Sequence, residues 1–70
     1  MPAQWTGDIV GQMHLSHITK RELADCLGVT PEYVSMVLHG HRKPSNAESR
    51  FRAALAYLIE KKKEEEVKYV

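Results

Sequence analysis

Histidine and cysteine are the side chains whose spacing most often carries chemistry, and in this chain they do not form a reactive set. His14 and His17 stand three residues apart and His39 and His41 flank Gly40, but no carboxylate or cysteine completes either pair at a spacing typical of zinc. Cys26 is the only cysteine, so it offers neither an intrachain disulfide nor a zinc corner, and it is expected in the core together with Trp5. There is no glycine-rich phosphate loop, and 70 residues leave little room for a deep pocket. The expectation is a protein that is not an enzyme and has no catalytic residue, metal or cofactor. What remains is a basic edge: Arg42 and Lys43 are the densest positive patch ahead of the tail, with His39 and His41 beside them. Cations held this way suit phosphate oxygens, which add affinity without reading sequence.

Net charge alone would hide this edge, because ten Lys and Arg stand against nine Asp and Glu for a total of +1. Ahead of residue 60 the charges are Lys20, Arg21, Arg42, Lys43, Arg50 and Arg52 against Asp8, Glu22, Asp25, Glu32 and Glu48. The acidic run Glu64 to Glu66 offsets the lysines of the tail. Apolar residues make up 43% and charged residues 27%, which suits one small folded domain rather than a disordered chain. No apolar run is long enough to span a bilayer, and residues 1–10 lack the pattern of a signal peptide, so a soluble protein of the reducing cytoplasm is expected.

The elements that must carry the basic edge are helices, since apolar residues recur at spacings of three and four and strand signals are nearly absent until the last few residues. Trp5, Ile9 and Met13 share one face of a first helix from about Thr6 to Leu15, weakened by Gly7 and Gly11. Thr19 and Glu22 form a capping box, and Ile18 with Leu23 a hydrophobic staple, for a second helix from Lys20 to about Cys26. Gly28 supplies the positive φ that ends it. Thr30 as N-cap, Pro31 at the first position and Val29 with Val34 as a second staple start a third helix, which runs to about His39 and stops at Gly40. A loop from His41 to Pro44 leads to Ser45, which with Glu48 predicts another capping box and a fourth helix bearing Phe51, Ala54, Leu55, Leu58 and Ile59 on its apolar face. Lys61–Lys63 precede Glu64–Glu66, the weaker order for helical ion pairs, and acidic groups at a helix C-terminus oppose its dipole. Residues 1–63 are therefore expected to be the domain and 64–70 a charged, frayed tail.

Two short helices joined by a three-residue turn with glycine have the helix-turn-helix geometry, in which the second helix can enter a DNA major groove. Ala24 allows the close crossing, and Leu23, Val29, Val34 and Val37 are the expected buried contacts. The third helix divides into Val34, Val37 and Leu38 on one side and Glu32, Ser35, Met36 and His39 on the other. On that outer side Glu32 can accept from a cytosine amino group, Met36 or Tyr33 can pack on a thymine methyl, and Ser35 can serve base or phosphate. Glu32 equally suits the helix dipole, Tyr33 equally suits a half-buried flank, and Arg42 with Lys43 equally suit a solvated loop.

The run Ile18-Thr19-Lys20-Arg21-Glu22-Leu23-Ala24, then Leu27-Gly28-Val29-Thr30-Pro31, Tyr33-Val34-Ser35, Val37-Leu38, Gly40 and Pro44 resembles the Cro/repressor-type (XRE) helix-turn-helix regulators of phages and bacteria. The resemblance covers about residues 5–59 and is most specific in the middle. It implies an all-α, lambda-repressor-like bundle of four or five helices that binds operator double-stranded DNA as a dimer, here a small transcriptional regulator of phage or mobile-element type. By position it places Thr30, Pro31, Glu32, Tyr33 and Met36 toward the groove and Lys20, His39, His41 and Lys43 on phosphates. The chain departs from the pattern in having no obvious fifth helix and in carrying Met36 where many relatives have a polar or basic reader. A weak dimer or a monomer that pairs on DNA is expected, with Val67, Tyr69 and Val70 as the apolar groups left over for pairing. The reading from a different class is a protein-interaction module that keeps this fold and no longer binds DNA.

Overall fold

The computed structural model describes the backbone of residues 4–68 and the side chains of residues 4–65. Four helices follow one another, α1 (Gln4–Leu15), α2 (Lys20–Leu27), α3 (Pro31–Leu38) and α4 (Ala47–Lys68), and there is no strand among the described residues. α1 and α2 both pack on α4, and α3 packs on α1 and α2. The core between them is made by Ile9 and Met13 of α1, Ile18, Leu23 and Ala24, then Val34, Val37 and Leu38, and finally Ala47, Phe51, Ala54 and Leu55 of α4. Ile9, Leu23, Val34, Val37 and Leu55 are the largest fully buried side chains, each stabilising the fold by about 1.5–3 kcal/mol relative to exposure. Trp5 closes one end, its ring edge-on to Phe51 with centroids 5.7 Å apart.

α1 begins two residues earlier than the periodicity predicts, and Thr6, Ile9 and Met13 face inward at spacings of three and four. Its exit uses a residue that the sequence does not flag. His17 adopts φ 56°, the only non-glycine residue at positive φ among the described residues, and the Ile18 N–H reaches the Met13 carbonyl at 2.8 Å. That is the hydrogen bond of a Schellman-type end, and burial of both Ile18 and Met13 supplies the apolar contact that accompanies it.

α2 starts as its capping box predicts. The Glu22 N–H donates to Thr19 Oγ1 at 3.1 Å and the Thr19 N–H donates to Glu22 Oε1 at 3.0 Å. It ends at Gly28, φ 74°, where the Gly28 and Val29 N–H groups both reach the Ala24 carbonyl. A cation from another helix completes this end, because Arg50 donates to the Leu27 carbonyl at 3.2 Å. α3 is capped by Thr30, whose Oγ1 accepts the Tyr33 N–H at 3.1 Å, with Pro31 in its first turn.

Two expectations are corrected. Ser45 and Glu48 do not form a capping box: α4 begins at Ala47, the Ala47 N–H bonds to the Pro44 carbonyl, and Glu48 turns instead to Arg52 at 2.9 Å. Burial of Ala47 in the core sets the start of this helix. Cys26 is exposed rather than in the core, because Leu23 and Ala24 already occupy the inward phase of a helix of only eight residues. The helical backbone of α4 extends to Lys68. Tyr69 and Val70, and the side chain of Val67, lie outside the described residues, so the pairing role expected of them is not addressed.

Candidate nucleic-acid interface

α3 is held by its inner face, where Val34, Val37 and Leu38 are buried, and this leaves Glu32 and His39 exposed with Ser35 and Met36 half-buried. Thr30 is exposed at the N-terminal end but its hydroxyl is already engaged as the cap, and Pro31 is half-buried. Tyr33 faces another way. It lines a small cleft with Leu27, Val29, Pro44, Ala47 and Phe51, and is packed against the core rather than set among the outward residues.

Basic groups surround the outer face of α3 from three directions. From the start of α2, Lys20 Nζ donates to Ser35 Oγ at 3.4 Å. From the end of α3, His39 Nδ1 lies 2.8 Å from the Ser35 carbonyl and 3.2 Å from Ser35 Oγ. From the following loop, the His41 and Arg42 N–H groups both reach the Met36 carbonyl, at 2.8 and 3.3 Å, which folds that loop back onto the helix. Gly40, at φ 82°, makes this reversal possible, since the left-handed region is unfavourable for residues bearing a Cβ. Arg42 and Lys43 then line an open groove of about 330 Å³ with Trp5, Val37, Pro44 and Glu48.

This surface carries five basic groups and the carboxylate of Glu32. Lys20, His39, His41, Arg42 and Lys43 are all exposed, and none forms an ion pair among the described residues. Glu32 likewise forms none. The structure thus brings together Lys20, Ser35, Met36, His39, His41 and Arg42, residues separated by up to 22 positions, and sets Tyr33 apart from them. The Lys20–Ser35 contact is one that sequence reasoning misses, since neither residue signals a partner 15 positions away.

A second surface lies between α2 and α4, where Glu22, Asp25, Cys26, Tyr57, Leu58, Lys61, Lys62 and Glu65 line a groove of about 360 Å³. Here the two lysines have partners: Lys62 pairs with Glu22 at 3.2 Å, and Lys61 sits 6.0 Å from the centre of the Tyr57 ring. The Glu22 carboxyl is held below its ordinary range, chiefly by the Thr19 backbone N–H; burial opposes this, and Lys62 adds to the lowering. Among the described residues no three His, Cys, Asp or Glu side chains gather into a cluster able to hold a metal ion, and no helix is long and apolar enough to cross a membrane. No protein-family model, no curated protein and no solved structure matches the chain.

Proposed function

We propose that the chain is a sequence-specific double-stranded DNA-binding regulator of the Cro/repressor (XRE) type, in which α2 and α3 form a helix-turn-helix and α3 enters the major groove. The observation that carries this reading is the set of exposed basic groups without acidic partners around the outer face of α3, the cations Lys20, Arg42 and Lys43 with the imidazoles of His39 and His41 beside them. A protein that leaves charges uncompensated on one face is suited to a partner that brings the opposite charge, and a phosphate backbone does so at every nucleotide. In this reading Glu32, which is exposed, and Met36, which is half-buried, meet base edges, Glu32 at an amino group and Met36 at a thymine methyl. Thr30 and Pro31 fix the approach of the helix end, and Tyr33 supports α3 from its flank. The role is binding, with no catalytic residue assigned.

One helix of eight residues reads only a few base pairs, so two copies on half-sites about 34 Å apart are needed for specific regulation. The protein is accordingly a weak dimer or monomer in solution that pairs on DNA. Selection of bound duplexes from a random pool tests the reading, and the expected product is a palindromic sequence bound with a steep salt dependence.

A protein-interaction role on the same fold is favoured by a different observation, the exposure of Val10, Leu15 and Tyr57 at 47%, 84% and 59%. Retention on heparin and nonspecific DNA at low salt separates the two. A chain that elutes without added salt, and enriches no sequence from the pool, is not a DNA-binding protein.

A further inference from the structure

The cluster of Lys20, Ser35 and His39 has a hydrogen-bond direction that can be worked out from its geometry. His39 Nδ1 lies 2.8 Å from the Ser35 carbonyl oxygen, and a carbonyl only accepts, so Nδ1 must carry the ring proton. The same N–H faces Ser35 Oγ at 3.2 Å, so the hydroxyl oxygen accepts there too and cannot donate to a nitrogen whose lone pair is absent. Lys20 Nζ has only donors, so its 3.4 Å contact makes Ser35 Oγ an acceptor a second time. Both neighbours therefore give hydrogen to Ser35, and the hydroxyl's own proton has no acceptor among the described residues. Lys20 likewise retains two N–H groups beyond the one it spends on Ser35.

We infer that Ser35 is a phosphate ligand rather than a base reader: its hydroxyl proton and the free N–H groups of Lys20 form one donor site for the non-bridging oxygens of a single DNA phosphodiester. This rests on the DNA-binding reading and deepens it. A phosphodiester presents acceptors alone, which matches a site from which only protons point outward, whereas a cytosine or adenine amino group would need an acceptor that Ser35 has already committed. The ammonium of Lys20 favours the anion further, because hydrogen bonds to charged groups are the stronger kind. The placement also joins the start of α2 to the middle of α3 through one ligand, which would set how deep α3 sits.

The test uses the full chain and a selected duplex carrying one neutral methylphosphonate at a time, walked along the bound site. Wild-type protein is expected to lose roughly tenfold in affinity when the phosphate facing Ser35 is neutralised. Ser35→Ala, which keeps a good helix former at an interior position, should bind the unmodified duplex several-fold more weakly and become much less sensitive to that same substitution. Its preference at every base pair should stay that of the wild type. A Ser35→Ala protein that shows the full methylphosphonate penalty, or that changes preference at one base pair, overturns the inference while leaving DNA binding intact. Wild-type protein that binds no duplex removes both readings, and does so before the variant is made.

Discussion

The outer face of α3 and the groove between α2 and α4 are both charged and open, yet they treat their charges in opposite ways. In the groove both lysines are met within the protein, Lys62 by Glu22 across two helices and Lys61 by the Tyr57 ring within α4. On the α3 face the cations Lys20, Arg42 and Lys43 and the imidazoles of His39 and His41 have no acidic partner among the described residues, and Ser35 keeps a hydroxyl proton with no acceptor. Matched charges cost little when exposed and contribute modestly to the fold. Unmatched ones repel one another unless a partner arrives, so pairing distinguishes the two surfaces where net charge and hydropathy do not.

α2 belongs to both surfaces, and the turn that follows it sets the position of α3. Gly28→Val should therefore have the largest effect, since it places a β-branched residue at φ 74°, a conformation that L side chains rarely adopt, while the Cβ itself meets nothing within 4 Å beyond the adjoining residues. About 1–3 kcal/mol is expected, seen as a lowered melting temperature. A weaker DNA complex at a temperature where the variant is folded would show that the turn also aims α3. An unchanged melt would mean that the left-handed turn is not needed.

A matched pair of lysine variants puts the comparison directly. Lys43→Ala should weaken binding to all duplexes alike and reduce the slope of log affinity against log salt by about one unit. Lys62→Ala, which removes a cation already paired with Glu22, should leave that slope unchanged. Equal slopes for the two variants would erase the distinction between the surfaces.

The smallest effect belongs to the groove. Glu22→Gln keeps an acceptor for the Thr19 N–H but removes the charge that faces Lys62, for a loss of about 0.5 kcal/mol near neutral pH. Because the Glu22 carboxyl is held below its usual value of 4.5, its stabilising effect is complete above that value and disappears as pH falls through the lower folded value. The wild-type protein should lose this increment on acidification while the variant lacks it throughout, so their melting curves should converge in acid. A gap that persists at low pH would assign the effect to packing rather than charge.

Much of the α2–α3 unit was legible in the sequence because its signals act over three or four residues. The Thr19–Glu22 box, the Thr30 cap, Pro31 and the glycine turn each depend on neighbours along the chain, and each is found where expected. The same local rule fails at Ser45, since Glu48 has a competing partner in Arg52 and Ala47 is drawn into the core. His17 gives no sign in its residue type that it will take the left-handed conformation; the burial of Ile18 and Met13 on either side of the turn demands it.

By itself, then, the chain's local pattern determined four helices, the caps of the second and third, and which side of α3 is apolar. Tertiary structure alone decided the pairs that cross between elements: Lys20 with Ser35, Glu22 with Lys62, Arg50 with the Leu27 carbonyl, and Arg52 with Asp8. It also put Cys26 at the surface and Tyr33 on the flank, away from the outer residues. The physical reason is range. Capping and periodicity are settled by hydrogen bonds and side-chain phase within one or two helical turns. Which charge meets which across two helices depends on their crossing angle and rotation, and these follow only when Leu23, Ala24, Val34, Phe51 and Leu55 have all found places in one core.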